Sequence, residues 1–242
     1  MRIPRIFTEQ TLTSNQSVDL DENASRHLGK VLRMQTGREL ILFNGQGGEF
    51  SATIAAVGKK IVQVNVGEFS AQDRQSPLKI HLGIGISRGE RFDYVLQKAT
   101  ELGVSRITPL FTERTEVKLT GPRLEKKWQH WRQVLISSCE QCQRNLLPEL
   151  QAAVNLSQWL PSVEEESRFV LHHRSELALT EASAPQSVAL VIGPEGGLSE
   201  NEINECSNQN FQALTLGPRV FRTETAPLAA ISVMQYLWGD LA

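Results

Sequence analysis

The run Val188-Ala189-Leu190-Val191-Ile192 passes without a polar break into Gly193-Pro194-Glu195-Gly196-Gly197, and then into Ser199 and Glu202. A strand half in water alternates apolar with polar residues. An unbroken run of small and branched apolar residues is the mark of a parallel strand covered on both faces. Ser-x-x-Glu is a capping box, which predicts that a helix begins at Ser199. A buried strand, a glycine turn and a capped helix make one unit of an α/β fold with a parallel sheet, and ligands in such folds sit beyond the carboxyl ends of the strands. Three glycines in five residues let the backbone approach a ligand closely, and amides at a helix start hold its polar atoms. The turn has no Gly-Lys-Ser/Thr, so it is not a P-loop, and it lacks Gly-x-Gly-x-x-Gly. A purely structural turn is the plainer alternative, but such a turn does not need Pro, Glu and three Gly together.

A second segment repeats the logic. Leu214 to Leu216 lead into Gly217-Pro218-Arg219-Val220-Phe221-Arg222-Thr223-Glu224, followed by an apolar helix predicted over 226–238 with Pro227 in its first turn, where proline is tolerated. Arg219 and Arg222 suit phosphate or carboxylate, and Glu224 beside a helix start can accept a proton. An ion pair that merely caps the helix is the alternative. Around these turns, strands are predicted at 79–86, 107–111, 168–173 and 213–216, and helices at 90–102 and 122–145. His172 and His173 close one strand at the end where a ligand would lie. The segment Gly83 to Gly89 imitates a dinucleotide fingerprint, but its third glycine is one place late. Arg88 and Arg91 beside it are instead candidates to face a phosphate backbone.

Residues 1–70 read differently. Short β-rich runs at 39–43, 49–56 and 61–68 are separated by glycine turns, which predicts hairpins in a small sheet or barrel. One helical stretch, 23–34, places Leu28, Val31 and Leu32 inward and Arg26, His27, Lys30 and Arg33 outward. Residues 70–77 have no apolar period and end in Pro77, a linker signal, so two domains are expected, 1–72 and 76–242. Charge divides along the chain: the first 150 residues hold 21 Lys+Arg against 16 Asp+Glu, the last 92 hold 4 against 11. The basic strip Arg26, Lys30, Arg33 is a candidate for phosphate contact. No stretch reaches the ~18 apolar residues of a membrane helix, and no signal peptide is visible, so no membrane partner is expected. Three cysteines point to a reducing, cytoplasmic setting. Cys139 and Cys142 lie inside a helical pattern and read as small buried thiols, and no metal-ligand set is visible. The polar run 140–145 is a candidate groove or subunit interface.

Six segments in this order also carry a resemblance. They are Arg5-Ile6-Phe7, His27 to Arg33 (His-Leu-Gly-Lys-Val-Leu-Arg), Gln97 to Gly103 (Gln-Lys-Ala-Thr-Glu-Leu-Gly), Glu140 to Arg144 (Glu-Gln-Cys-Gln-Arg), the glycine turn 193–197, and Leu216 to Ala226. The chain resembles the ribosomal RNA small-subunit methyltransferase E family of the SPOUT superfamily over essentially its whole length. The resemblance implies an N-terminal PUA-like β-barrel that binds RNA, and a C-terminal α/β methyltransferase domain with a trefoil knot. Unaided topology rules would not give that knot. It further implies a homodimer that uses S-adenosyl-L-methionine to methylate N3 of a uridine in 16S ribosomal RNA of the assembled small subunit. The cofactor residues would be Leu171, His172, Ile192, Gly193, Pro194, Glu195, Gly196, Gly197, Leu216, Gly217, Val220, Phe221, Arg222, Thr225 and Ala226. Arg5, Arg26, Lys30, Arg33, Arg88, Arg91 and Arg144 are expected on RNA. Uracil N3–H is a weakly acidic imide that must lose its proton, so Glu224 is the expected base, Glu195 its reserve, and Arg222 the group that stabilises charge on the neighbouring carbonyl oxygens. Two rival readings are a SPOUT enzyme acting on transfer RNA and a non-catalytic RNA-binding protein.

Overall fold

A computed structural model of the chain describes residues 3–172, 179 and 184–242. It divides into two compact units, Met1–Gln75 with Ile136–Leu147, and Ser76–Leu135 with Pro148–Ala242.

In the first unit the chain forms β1 (Arg5–Phe7), β2 (Ser17–Asp19), the short helix α1 (Glu22–Arg26), β3 (Glu39–Phe43), β4 (Glu49–Val57) and β5 (Val62–Ser70). These strands make one sheet in the order β1-β3-β4-β5-β2, parallel only between β1 and β3. Alternation works as expected on β5, where Val62, Val64 and Val66 are buried and pack with Leu28, Leu40, Leu42 and Ile54. After α1 the chain makes a π turn over His27–Val31, and Leu32 N–H donates to His27 O at 2.9 Å. That i→i+5 bond widens the helix and rotates the residues after it. Leu28 stays fully buried, whereas Val31 and Leu32, expected inside, are 67% and 40% exposed.

The linker signal, as far as Gln75, and the polar run 140–145 turn out to be parts of one clamp in this unit. Glu49 Oε2 accepts from Arg5 Nη1 at 2.7 Å, Asn145 Nδ2 at 3.0 Å and Arg74 Nη1 at 3.4 Å. Arg5 Nη2 also donates to Asn145 Oδ1, Asn145 Nδ2 to Gln72 O, and Arg144 Nη2 to Gln75 Oε1. Burial would raise the Glu49 carboxyl, but hydrogen bonds from Arg5 and Asn145 outweigh it and hold the group below the usual carboxylate range. Arg5 and Arg144 are therefore corrected: both are buried and committed to this clamp, so neither presents a guanidinium to RNA.

The second unit is α/β. It contains β6 (Lys79–Gly85), α2 (Glu90–Glu101), β7 (Arg106–Phe111), the first part of α3 (Gly121–Cys142), β8 (Glu149–Leu150), β9 (Val154–Asn155), α4 (Leu156–Trp159), β10 (Ser167–Leu171), β11 (Ser187–Ile192), α5 (Glu200–Asn208), β12 (Gln212–Leu214) and α6 (Thr225–Trp238). The seven strands are all parallel, in the order β12-β10-β11-β6-β7-β8, with β9 also on β7. The apolar run of β11 divides its side chains between two cores. Val188, Leu190 and Ile192 join Leu82, Phe92, Trp131 and Met234, while Ala189 and Val191 join Leu110, Trp159 and Phe211. Both faces of the strand are dry, which is why its sequence does not alternate. At the amino-terminal end of the sheet, Trp159 Nε1 donates to His81 Nε2 at 3.3 Å. Nε2 is also 2.8 Å from Thr108 Oγ1, and Nδ1 is 2.8 Å from Glu165 Oε1. Among the described residues no helix is long and apolar enough to cross a membrane.

Candidate functional site

Because β10, β11 and β12 are parallel neighbours, their carboxyl ends deliver three loops to one place. There a cavity of about 460 Å³ opens, lined by Leu171 and His172 at the end of β10, residues 192–198 from the end of β11, and residues 214–216 and 219–224 with Ala226 from the end of β12 onward. Ile203, Arg91 and Arg114 complete it. Such a volume is typical of small-molecule sites.

The glycines of the first turn have distinct tasks. A Cβ on Gly193 would lie 2.8 Å from Gly197 C and 2.9 Å from Leu198 N, so the turn closes only without a side chain there. Gly197 has φ +68°, a left-handed conformation that glycine adopts without strain, and its N–H donates to Pro194 O at 2.8 Å. A Cβ on Gly197 would meet nothing within 4 Å. Immediately afterwards Ser199 caps α5 with the full capping box, its Oγ accepting from Glu202 N–H while Glu202 Oε2 accepts from Ser199 N–H. Glu202 Oε1 also accepts from Glu113 N–H at 2.9 Å, fastening the loop after β7 to the same helix start.

The two turns are stitched together. Thr223 Oγ1 donates to Gly193 O at 3.0 Å, and Arg114 Nη1 donates to Gly196 O at 2.8 Å. Glu195 Oε1 accepts from Arg88 N–H at 2.9 Å and from Arg91 Nη1 at 3.3 Å. Burial would raise the Glu195 carboxyl, yet the N–H groups of Arg88 and of Glu195 itself, with the Arg91 guanidinium, hold it below the usual range. Arg91 Nε lies 4.0 Å from Glu224 Oε2, so one guanidinium stands between the two carboxylates of the cavity. Glu224 is the N-cap residue of α6 and makes no side-chain capping bond, which leaves its carboxylate facing the cavity near the positive end of that helix.

Thirteen of the fifteen expected cofactor residues line the cavity. Gly217 and Thr225 do not: both are exposed residues of the adjoining backbone. Catalytic candidates Arg222 and Glu224 both line it, Arg222 exposed and Glu224 half-buried. Arg88 and Arg91 are engaged by carboxylates, Arg88 Nη2 with Glu116 Oε2 at 2.8 Å and Arg91 with Glu195. Arg26, Lys30 and Arg33 are exposed on the first unit. His173 falls outside the described residues. Arg114 and Thr215 are lining residues that sequence reasoning did not single out. The signal for Arg114 existed: it follows the carboxyl end of a parallel strand, the same criterion that picks His172.

Residues 74–235 match a family model described as an RNA methyltransferase domain, and residues 20–67 one described as an RNA methyltransferase PUA domain. The chain is 36% identical over 243 residues to Ribosomal RNA small subunit methyltransferase E of Buchnera aphidicola subsp. Schizaphis graminum, covering 100% of this chain and 99% of that protein. Among solved structures it is similar to a Legionella pneumophila methyltransferase in complex with the bound cofactor SAM, with a TM-score of 0.97 and 45% identity over 100% of both chains. It is also similar to Ribosomal RNA small subunit methyltransferase E of Neisseria gonorrhoeae bound to S-adenosyl methionine, with a TM-score of 0.93 and 36% identity over 100% of both chains.

Proposed function

The chain belongs to the ribosomal RNA small subunit methyltransferase E family, and on that premise we propose that it methylates N3 of a uridine in 16S ribosomal RNA of the assembled small subunit, using S-adenosylmethionine. The observation that carries this reading is the cavity between the two stitched turns. Its Ile192, Leu198, Leu214, Leu216 and Phe221 offer apolar walls for an adenine, and the turn amides offer polar partners for a ribose and an amino acid head. When bound there, S-adenosylmethionine supplies an electrophilic methyl group on a sulfonium sulfur.

The chain's own work is then on the acceptor. Glu224 takes the N3 proton of uracil at its carboxylate, and Arg222 donates to the adjacent carbonyl oxygens as they gain charge. Glu195 is the reserve, because the N–H groups of Arg88 and of Glu195 itself, with the Arg91 guanidinium, hold its carboxyl below the usual range. Arg91 orients the pair: bonded to Glu195 and close to Glu224, it keeps the two carboxylates from repelling one another. The first unit, with its exposed Arg26, Lys30 and Arg33, contributes RNA affinity rather than chemistry. In the second unit, Val233 and Tyr236 on the apolar helix α6 are 38% and 60% exposed, which supports a homodimer. The same family reading includes a trefoil knot in the second unit and a cytoplasmic setting.

The transfer RNA reading and the non-catalytic reading are separated from this one by a single experiment. Small ribosomal subunits and transfer RNA from a strain lacking the protein are incubated with or without purified protein and S-adenosylmethionine, then digested, and their nucleosides are mapped by mass. The expected result is one N3-methyluridine in 16S RNA that is missing from the strain and restored by the protein. Methylation of transfer RNA alone, or of no RNA, overturns the proposal.

A further inference from the structure

The last 92 residues are strongly acidic, with 4 Lys+Arg against 11 Asp+Glu. Of those four cations Arg168 is committed, donating Nε to Glu165 O at 3.2 Å and Nη1 to Gln209 O at 3.3 Å. Arg174 lies outside the described residues. The remaining two, Arg219 and Arg222, are exposed on the lip of the same cavity, and among the described residues neither side chain has an ion pair or hydrogen bond. Between them Val220 is 78% exposed, the highest value among the large apolar side chains of the described residues. The lip is held from behind, since Arg222 O accepts from Thr225 and Ala226 N–H, both at 2.9 Å, and Thr223 is bonded to Gly193.

Two guanidiniums left without counter-charge, in an acidic segment, on a fixed lip, call for an external anion. Of the cavity's two carboxylates, Glu195 is bonded to Arg91 and Glu224 lies 4.0 Å from Arg91 Nε. The anion has two candidate sources: the carboxylate of the cofactor's amino acid or a phosphate of the RNA. A single carboxylate within the cavity needs one guanidinium and no exposed apolar neighbour. An RNA strand presents repeated phosphates with an apolar base face between them, and that is the pattern of Arg219, Val220 and Arg222. Resting on the methyltransferase reading above, we infer that Arg219 binds an RNA phosphate beside the target nucleotide and that Val220 is the apolar rest for the face of the target base. Arg219 is a binding residue for the substrate strand, distinct from Arg222, which faces the reacting base.

The test uses the full-length protein with Arg219→Ala, Arg219→Lys and, as a control for loss of any surface charge, Arg123→Ala, exposed at the start of α3. The probe is small ribosomal subunits from a strain lacking the protein. Arg219→Ala is expected to weaken subunit binding about tenfold at moderate salt and to lower the slope of log K against log salt by about 1, the signature of one lost phosphate contact. Cofactor affinity by calorimetry stays unchanged, KM for subunits rises while kcat at saturation is kept, and Arg219→Lys recovers the salt slope. Three results overturn the inference. They are a weakened cofactor with subunit binding intact, which assigns Arg219 to the cofactor carboxylate; loss of dimer in sedimentation, which makes the lip a contact with a second copy; and equal effects from Arg123→Ala. In each of those cases wild-type cofactor binding and methylation still stand, whereas their failure would instead strike the methyltransferase reading itself.

Discussion

Glu224 and Glu195 occupy the same cavity with unlike surroundings. Glu195 accepts from the backbone N–H of Arg88 and the guanidinium of Arg91, and its proton affinity falls accordingly. Glu224 has only the distant Arg91 Nε at 4.0 Å and no capping bond to satisfy. Glu195 is held by these donors, and Glu224 is the base we propose. Glu224→Gln keeps size and removes the basic oxygen; methylation is expected to fall by about 10²–10⁴, the usual contribution of a general base, with cofactor affinity little changed. Single-turnover rates at saturating cofactor and subunits check this, and a near wild-type rate would reduce Glu224 to a helix-start residue. For single residues the sequence is informative about which types gather and silent about which are engaged. Arg5 and Arg144 look as available as Arg26 in the sequence, yet Glu49, Asn145 and Gln75, distant along the chain from one or the other, have claimed their surroundings.

Among the elements, legibility follows local causes. The strand β11 and the start of α5 are readable because burial on both faces and the capping box are written in adjacent residues. The π turn after α1 is not, because a helix-period pattern assumes i→i+4 bonding and places Val31 and Leu32 inward. The edge strands β1 and β2, three residues each, and the four-residue helix α4 are too short for any periodicity to appear, and long-range packing alone creates them. The capping box itself gives an expectation about stability. Ser199→Ala removes one cap and is expected to cost about 0.5–2 kcal/mol. Glu202→Ala strands two N–H groups, those of Ser199 and Glu113, and is expected to cost more, about 2–4 kcal/mol. Urea unfolding of both variants compares them; equal costs would mean that the Glu113 contact carries no energy.

For the whole molecule, the parallel order β12-β10-β11 is what turns three separate loops into one site, and the sequence contains those loops but not their adjacency. The family motifs supply that adjacency for the glycine turn and the 216–226 segment. They do not supply Arg114, which enters from the loop after β7 and bonds Gly196 O. Whether these turns hold S-adenosylmethionine is best asked at Gly197. It lines the cavity, its φ is left-handed, and a Cβ there would meet no protein atom within 4 Å. S-adenosylmethionine is titrated calorimetrically into wild type and Gly197→Val, with Gly197→Ala as the milder partner and thermal unfolding to establish that each is folded. One site per chain is expected in the wild type, with affinity at least about tenfold weaker in the folded valine variant, a loss of ~1.4 kcal/mol or more. Unchanged affinity in a folded Gly197→Val protein would contradict the assignment of the cofactor to these turns.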